Sequence, residues 1–100
     1  MSKNKNLDKI LFSVLKEKVS LAMALRSYRT REELTQEELA LKLGVSKQYV
    51  SDLENKRRFV SVEKAHQYAT ILGESKKYFV MLALQDMVDQ SGLHYKVSVA

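Results

Sequence analysis

Between Thr35 and Asn55 the chain has room for two short helices and almost nothing to join them. Thr35-Gln36-Glu37-Glu38 is a capping box: the threonine oxygen takes one orphan amide of a helix start, and Glu38 reaches back to another. The helix that it opens carries Leu39, Ala40 and Leu43 and ends at Gly44. Only Gly44, Val45 and Ser46, itself an N-cap residue, separate it from a further helix, Lys47 to about Asn55, with Val50 and Leu53 inward. Helices joined so tightly cross at roughly 90–120°. Ala40 is small where they must approach, and Gly44 stands where the turn requires a left-handed backbone. Leu39, Leu43, Val45, Val50 and Leu53 then supply the contacts between the helices and to a core.

The rest of the chain is built from the same kind of piece. Leu7, Ile10, Leu11, Val14, Leu15, Val19, Ala22 and Leu25 recur at close to a 3.6-residue period, predicting helix from Leu7 to about Arg31. The pattern leaves open one long helix or two, broken near Ser20. Ser61 caps a helix with Val62, Ala65, Ala69 and Leu72 on one face and Gly73 closing it. Ser75 opens a last helix through Tyr78, Phe79, Leu82, Met87 and Val88 to Gly92. Leu93, Tyr95, Val97 and Val99 then alternate with His94, Lys96 and Ser98, a period of two that predicts a strand. The 3 glycines each follow an apolar-periodic stretch and proline is absent, as expected of a mostly helical chain.

Composition narrows the function classes. Without cysteine there is no disulfide scaffold, thiolate metal site or cysteine nucleophile. His66 and His94 stand on different elements with no acidic partner at a useful spacing. Glu32, Glu33, Glu37 and Glu38 cluster near a helix N-terminus, where they favour the dipole. No glycine-rich phosphate loop or metal-ligand cluster is visible, so the expectation is a non-enzymatic protein with no cofactor and no metal. The longest uncharged run, Ala65 to Gly73, is far short of the roughly 20 residues that span a bilayer. Lys16, Glu17 and Lys18 interrupt any signal-peptide core, so a cytoplasmic location is expected. Lys and Arg number 17 against 12 Asp and Glu, a net charge of +5 that favours an anionic partner.

Leu34-Thr35-Gln36-Glu37-Glu38-Leu39-Ala40, Leu43-Gly44-Val45-Ser46 and Val50-Ser51-Asp52-Leu53-Glu54-Asn55 together resemble the phage-repressor (Cro/Xre) type of helix-turn-helix regulator. The resemblance covers about residues 21–80. It implies an all-α, five-helix, lambda-repressor-like DNA-binding domain whose third helix enters the major groove, usually as a dimer on a palindromic operator. Residues 1–20 then form an N-terminal helical extension, 21–80 the DNA-binding domain, and 81–100 the end of helix five and a short C-terminal β-strand for dimerisation. Two departures stand out. Glu33 occupies a place that often holds glycine, and Lys56 follows Glu54-Asn55 where the family often has glycine, with no proline after it.

By the resemblance, the base-contacting positions fall on Lys47, Gln48 and, one turn later, Asp52, with Tyr49 and Ser51 between them. The chemistry agrees: lysine donates to guanine, glutamine grips adenine bidentately and aspartate accepts from cytosine N4. Asp52 also stands four residues before Lys56, the spacing of a solvated intrahelical pair. Tyr49 suits a thymine methyl, a phosphate or a half-buried surface position. Thr35, Gln36 and Ser46 at the two helix starts, and Asn55, Lys56, Arg57 and Arg58 after the third helix, are the phosphate-contacting candidates. Arg29 and Glu54 hold places that the family often joins as a structural ion pair.

A strand at Leu93, Tyr95, Val97 and Val99 needs a partner for its backbone. The same strand of a second protomer, paired about a two-fold axis, would supply one, and a homodimer also matches two half-sites about 34 Å apart. The expected function is therefore sequence-specific double-stranded DNA binding as a dimeric transcriptional repressor. The alternative is an antitoxin-type protein with the same DNA-binding head that also captures a protein toxin or another regulator. Lys5 to Val19, with Lys9, Lys16 and Lys18, reads as an amphipathic packing or dimer-supporting helix rather than a membrane-surface one.

Overall fold

The computed structural model describes residues 19–100. The helical extension expected over residues 1–20, with its periodic positions from Leu7 to Leu15, lies almost wholly outside the described residues. Five helices follow in order: α1 Leu21–Arg31, α2 Gln36–Leu43, α3 Lys47–Glu54, α4 Val62–Leu72 and α5 Lys76–Gln90. A serine or threonine opens every one of them. Ser20, Thr35, Ser46, Ser61 and Ser75 each accept a backbone N–H three residues on, and the capping box at Thr35 is closed by Glu38. A serine cap at residue 20 starts α1 there.

The helix ends are equally regular. After α1 to α4, one N–H bridges back five residues: Leu34 to the Arg29 carbonyl, Val45 to Ala40, Arg57 to Asp52 and Glu74 to Ala69. Each closure is a Schellman turn, which needs one residue in the left-handed conformation. Gly44 and Gly73 fill that place after α2 and α4, both at φ 70°. A Cβ at Gly44 would meet no atom within 4 Å, so the backbone angle, not space, selects glycine there. After α1 and α3 the left-handed residues are Glu33 (φ 55°) and Lys56 (φ 58°). These are the two positions where the sequence departs from the family's glycines. The turns keep their shape and bear the strain of a side chain.

Leu25, Leu39, Val50, Ala65, Tyr68, Phe79 and Leu82 are the centre of one core to which every helix contributes. α5 packs chiefly along α4, α2 crosses α3, and α1 bridges α3 and α5. Val45 in the three-residue turn and Val60 after α3 pack against the same core, which fixes both ends of α3.

One expectation is corrected. No strand forms among the described residues, and the C-terminal β-strand is therefore absent. Tyr95 and Val97 of the tail are instead held by α5. Gln85 donates from Nε2 to the Tyr95 carbonyl at 2.8 Å and accepts the Val97 N–H at 2.7 Å. Alternation of side chains is a property of the sequence, whereas a strand requires a ladder partner for its amides. A glutamine side chain serves two backbone groups here, and no segment of the described chain pairs with the tail as a strand.

Candidate nucleic-acid interface

The buried face of α3 is Val50, Leu53 and Glu54. Positions one turn apart on the opposite face, Lys47, Gln48, Ser51, Asp52 and Asn55, are exposed or half-exposed. Tyr49 is half-buried against the core edge. The five expected base-contacting residues thus share one short helix whose orientation is set from beneath. Three contacts do this. The Gly44-Val45-Ser46 turn sets its start, Val50 and Leu53 anchor it, and Arg26 Nη2 donates to the Glu54 carbonyl at 2.9 Å, satisfying a C-terminal orphan.

Glu54 is the anchor of that orientation. Its side chain is 1% exposed, and it accepts from Arg29 Nε at 2.8 Å, Arg29 Nη2 at 3.0 Å and Gln36 Nε2 at 3.1 Å. Arg29 in turn donates to the Leu34 carbonyl at 3.2 Å, so one guanidinium joins α1, the loop before α2, and α3. Burial works to raise the Glu54 carboxyl, but the hydrogen bonds from Arg29 and Gln36 overcome it and hold the group below the usual carboxylate range. Gln36, a phosphate candidate, therefore spends its amide on Glu54 in the free protein.

Around this frame lie the remaining phosphate candidates. Thr35 and Ser46 use their hydroxyls as caps, at 3.1 Å to the Glu38 N–H and 3.0 Å to the Tyr49 N–H. Asn55 donates to the Ser51 carbonyl at 2.8 Å. Lys56, Arg57 and Arg58 are exposed just past the end of α3. Arg58 lies over the Tyr49 ring, 5.4 Å from its centroid. Lys42, in the last turn of α2, donates to the buried Tyr28 hydroxyl at 3.1 Å.

Several cations on this face are held by carboxylates. Lys47 pairs with Glu37 across the turn at 3.6 Å. Asp52 Oδ1 accepts from both Gln48 Nε2 and Arg57 Nε at 2.9 Å, and its Oδ2 is 3.9 Å from Arg58. The hydrogen bonds from Gln48 and Arg57 keep the Asp52 carboxyl below its usual range, so it is ionised at neutral pH. The partners differ from the intrahelical pair that the spacing to Lys56 suggests. Arg57 reaches back because the left-handed Lys56 turns the chain toward α3.

Sequence reasoning passed over three residues near this face. Arg26 is one, Glu37 as a tether for Lys47 is another, and Asp86 is the third. Asp86 is 7% exposed at the start of α1, accepting the Leu21 N–H at 3.4 Å. Burial raises its carboxyl to about 6, against the opposing pull of the Leu21 amide. The signals were thin: Arg26 sits three residues before Arg29, and Asp86 interrupts an apolar run. Among the described residues no group of His, Cys, Asp or Glu is arranged to hold a metal ion, and no helix is long and apolar enough to cross a membrane.

Comparison with known proteins agrees with this geometry. A family model described as Helix-turn-helix matches residues 25–79, which run from the second turn of α1 through the first turn of α5. The chain is also similar to the crystal structure of a hypothetical transcription factor, NHTF, from Neisseria, at 28% identity and a TM-score of 0.56. That likeness covers 69% of this chain and 79% of the other. No curated protein matches the chain. With more than half its length matched to the family model and a glycine-turned α2–α3 pair presenting a polar, basic face, the chain belongs to the Cro/Xre-type helix-turn-helix family of DNA-binding regulators.

Proposed function

We propose that the protein is a dimeric, sequence-specific repressor that lays α3 in the major groove of double-stranded DNA. The observation that carries this reading is the exposed face of α3: polar, flanked by cations and held from beneath by Glu54. Lys47, Gln48, Tyr49, Ser51 and Asp52 are the base-reading set. Thr35, Gln36 and Ser46 at the helix starts and Asn55, Lys56, Arg57 and Arg58 beyond α3 contact phosphates. Dimerisation uses residues 93–100 with the end of α5, where Leu93, Tyr95, Val99 and Met87 leave apolar surface exposed and Val97 is half-buried. Bound across a promoter, such a dimer excludes polymerase.

Selection of bound duplexes from a random pool tests the reading. A single two-fold-symmetric motif with half-sites about one helical turn apart is the expected result. Gln48→Ala should then alter preference at one base pair. Lys56→Ala should weaken all sequences alike and flatten the salt dependence by about 0.9 in log–log slope. A pool that stays random after repeated rounds would refute the assignment. Deleting residues 93–100 should convert the dimer to a monomer in sedimentation, and a truncated chain that remains dimeric would place the interface elsewhere. Co-purification of a tightly held basic protein in place of the homodimer would favour the antitoxin alternative.

A further inference from the structure

Asp52 is an odd residue for a surface that must approach phosphates. It brings a full negative charge to the exposed face of the DNA-reading helix, and two of the groups that reading requires are fastened to it. Gln48 Nε2 and Arg57 Nε both donate to its Oδ1 at 2.9 Å, and Arg57 Nη2 also reaches the Ser51 hydroxyl at 3.3 Å. One oxygen thus holds a base-reading amide and a phosphate-binding guanidinium together. The second oxygen faces Arg58 at 3.9 Å.

Resting on the DNA-reading role of α3, we propose that Asp52 is a specificity-determining residue that restrains Gln48 and Arg57 in the free protein and surrenders them only to a matching site. The exchange has three parts. Arg57 moves to a phosphate, Gln48 to a base edge, and the Asp52 carboxylate must find a new donor or be left facing the phosphates unpaired. The N4 amino group of cytosine supplies that donor in the major groove; adenine N6, the other amino donor there, sits beside the N7 acceptor of its own base, which repels a carboxylate. On unmatched DNA the carboxylate keeps Arg57, so one phosphate contact is withheld. Discrimination thus comes from suppressing non-specific binding as much as from adding specific contacts.

The test uses the full chain and a fluorescent duplex of random sequence, with affinity read by anisotropy over a salt series. Asp52→Asn retains the shape and removes the charge that holds Arg57. It should tighten random-duplex binding about threefold at low salt and steepen the log–log salt slope by about 0.9, the equivalent of one added phosphate contact. In an Arg57→Ala background the same substitution should give less than half that gain, because only the looser Arg58 contact at 3.9 Å remains to release. Asp52→Ala is the second variant and should behave alike, and circular dichroism of each variant checks that the helices are intact. An equal gain with and without Arg57 would show only bulk charge removal and overturn the proposal, as would an unchanged or weakened affinity. Failure of the wild-type chain to bind any duplex would overturn the DNA-reading role as well, whereas normal binding without an Asp52 effect would overturn this inference alone.

Discussion

Removing the carboxyl of Glu54 should cost more stability than any other change of a polar side chain near α3. Its side chain is 1% exposed, and three hydrogen bonds converge on it, two from Arg29 and one from Gln36. Glu54→Ala strands the Arg29 guanidinium, whose side chain is only 22% exposed, and leaves the Gln36 amide without its acceptor. Breaking one side of a buried pair costs about 3–5 kcal/mol. Arg29 keeps its bond to the Leu34 carbonyl and can take up water at its open edge, so a loss of about 3 kcal/mol is expected. For a domain of this size that lowers the thermal midpoint by more than 10 °C, at roughly 4–8 °C per kcal/mol. Glu54→Gln, which retains one acceptor, should cost less than alanine. The pH dependence gives an independent check. The folded-state carboxyl titrates below its ordinary 4.5, so its contribution is fully present above that pH and is lost as pH falls through the folded value. The difference between wild type and Glu54→Gln in urea unfolding should therefore be large at pH 7 and shrink as pH falls below 4.5. A loss under about 1 kcal/mol for Glu54→Ala, or a difference independent of pH, would refute the reasoning that this carboxylate holds α3 in place.

The two left-handed side chains give a stabilising prediction. Glu33→Gly and Lys56→Gly each relieve about 1–2 kcal/mol of backbone strain against a smaller entropic penalty, for a net gain of about 0.5–1 kcal/mol by thermal unfolding. Glu33→Gly should leave DNA affinity nearly unchanged, whereas Lys56→Gly should stabilise the fold and weaken binding to every sequence. Asp86 behaves oppositely to Glu54. Its carboxyl is raised from 3.8 to about 6 by burial, so the folded state favours the protonated form, and a penalty develops as pH rises through 4 to 6 and is complete at 7. Asp86→Asn keeps an acceptor for the Leu21 N–H and should stabilise the protein by about 2 kcal/mol at pH 7 and by little at pH 4. Equal midpoints for this variant and wild type at pH 7 would contradict it.

Helix starts and stops were legible from the chain alone because they are local. Ser46 accepts an amide three residues on, and Gly44 adopts a left-handed angle, whatever the rest of the molecule does. The apolar spacing of Leu39, Leu43, Val50 and Leu53 likewise requires a shared core. The short turn between α2 and α3 leaves few ways to cross them, which is why the candidate reading helix could be placed from spacing. The C-terminal tail shows where that logic stops. Alternation at Leu93, Tyr95, Val97 and Val99 says which side chains share a face, but the backbone partner was a side chain ten to twelve residues away, Gln85. Local pattern has no access to it.

The electrostatic arrangement of the interface depended on tertiary structure for the same reason. Lys47, Arg57 and Asp52 were all visible as chemistry, yet Arg57 meets Asp52 through the path that Lys56 gives the chain after α3, and Lys47 meets Glu37 because the short turn sets α2 across α3. The position of α3 itself rests on Arg26 and Arg29, more than twenty residues away in sequence, meeting Glu54 in the core. A capping motif and an apolar period are written in neighbouring residues and therefore belong to the sequence. Which carboxylate holds which cation is a matter of distances across elements, and these exist only once the helices have packed.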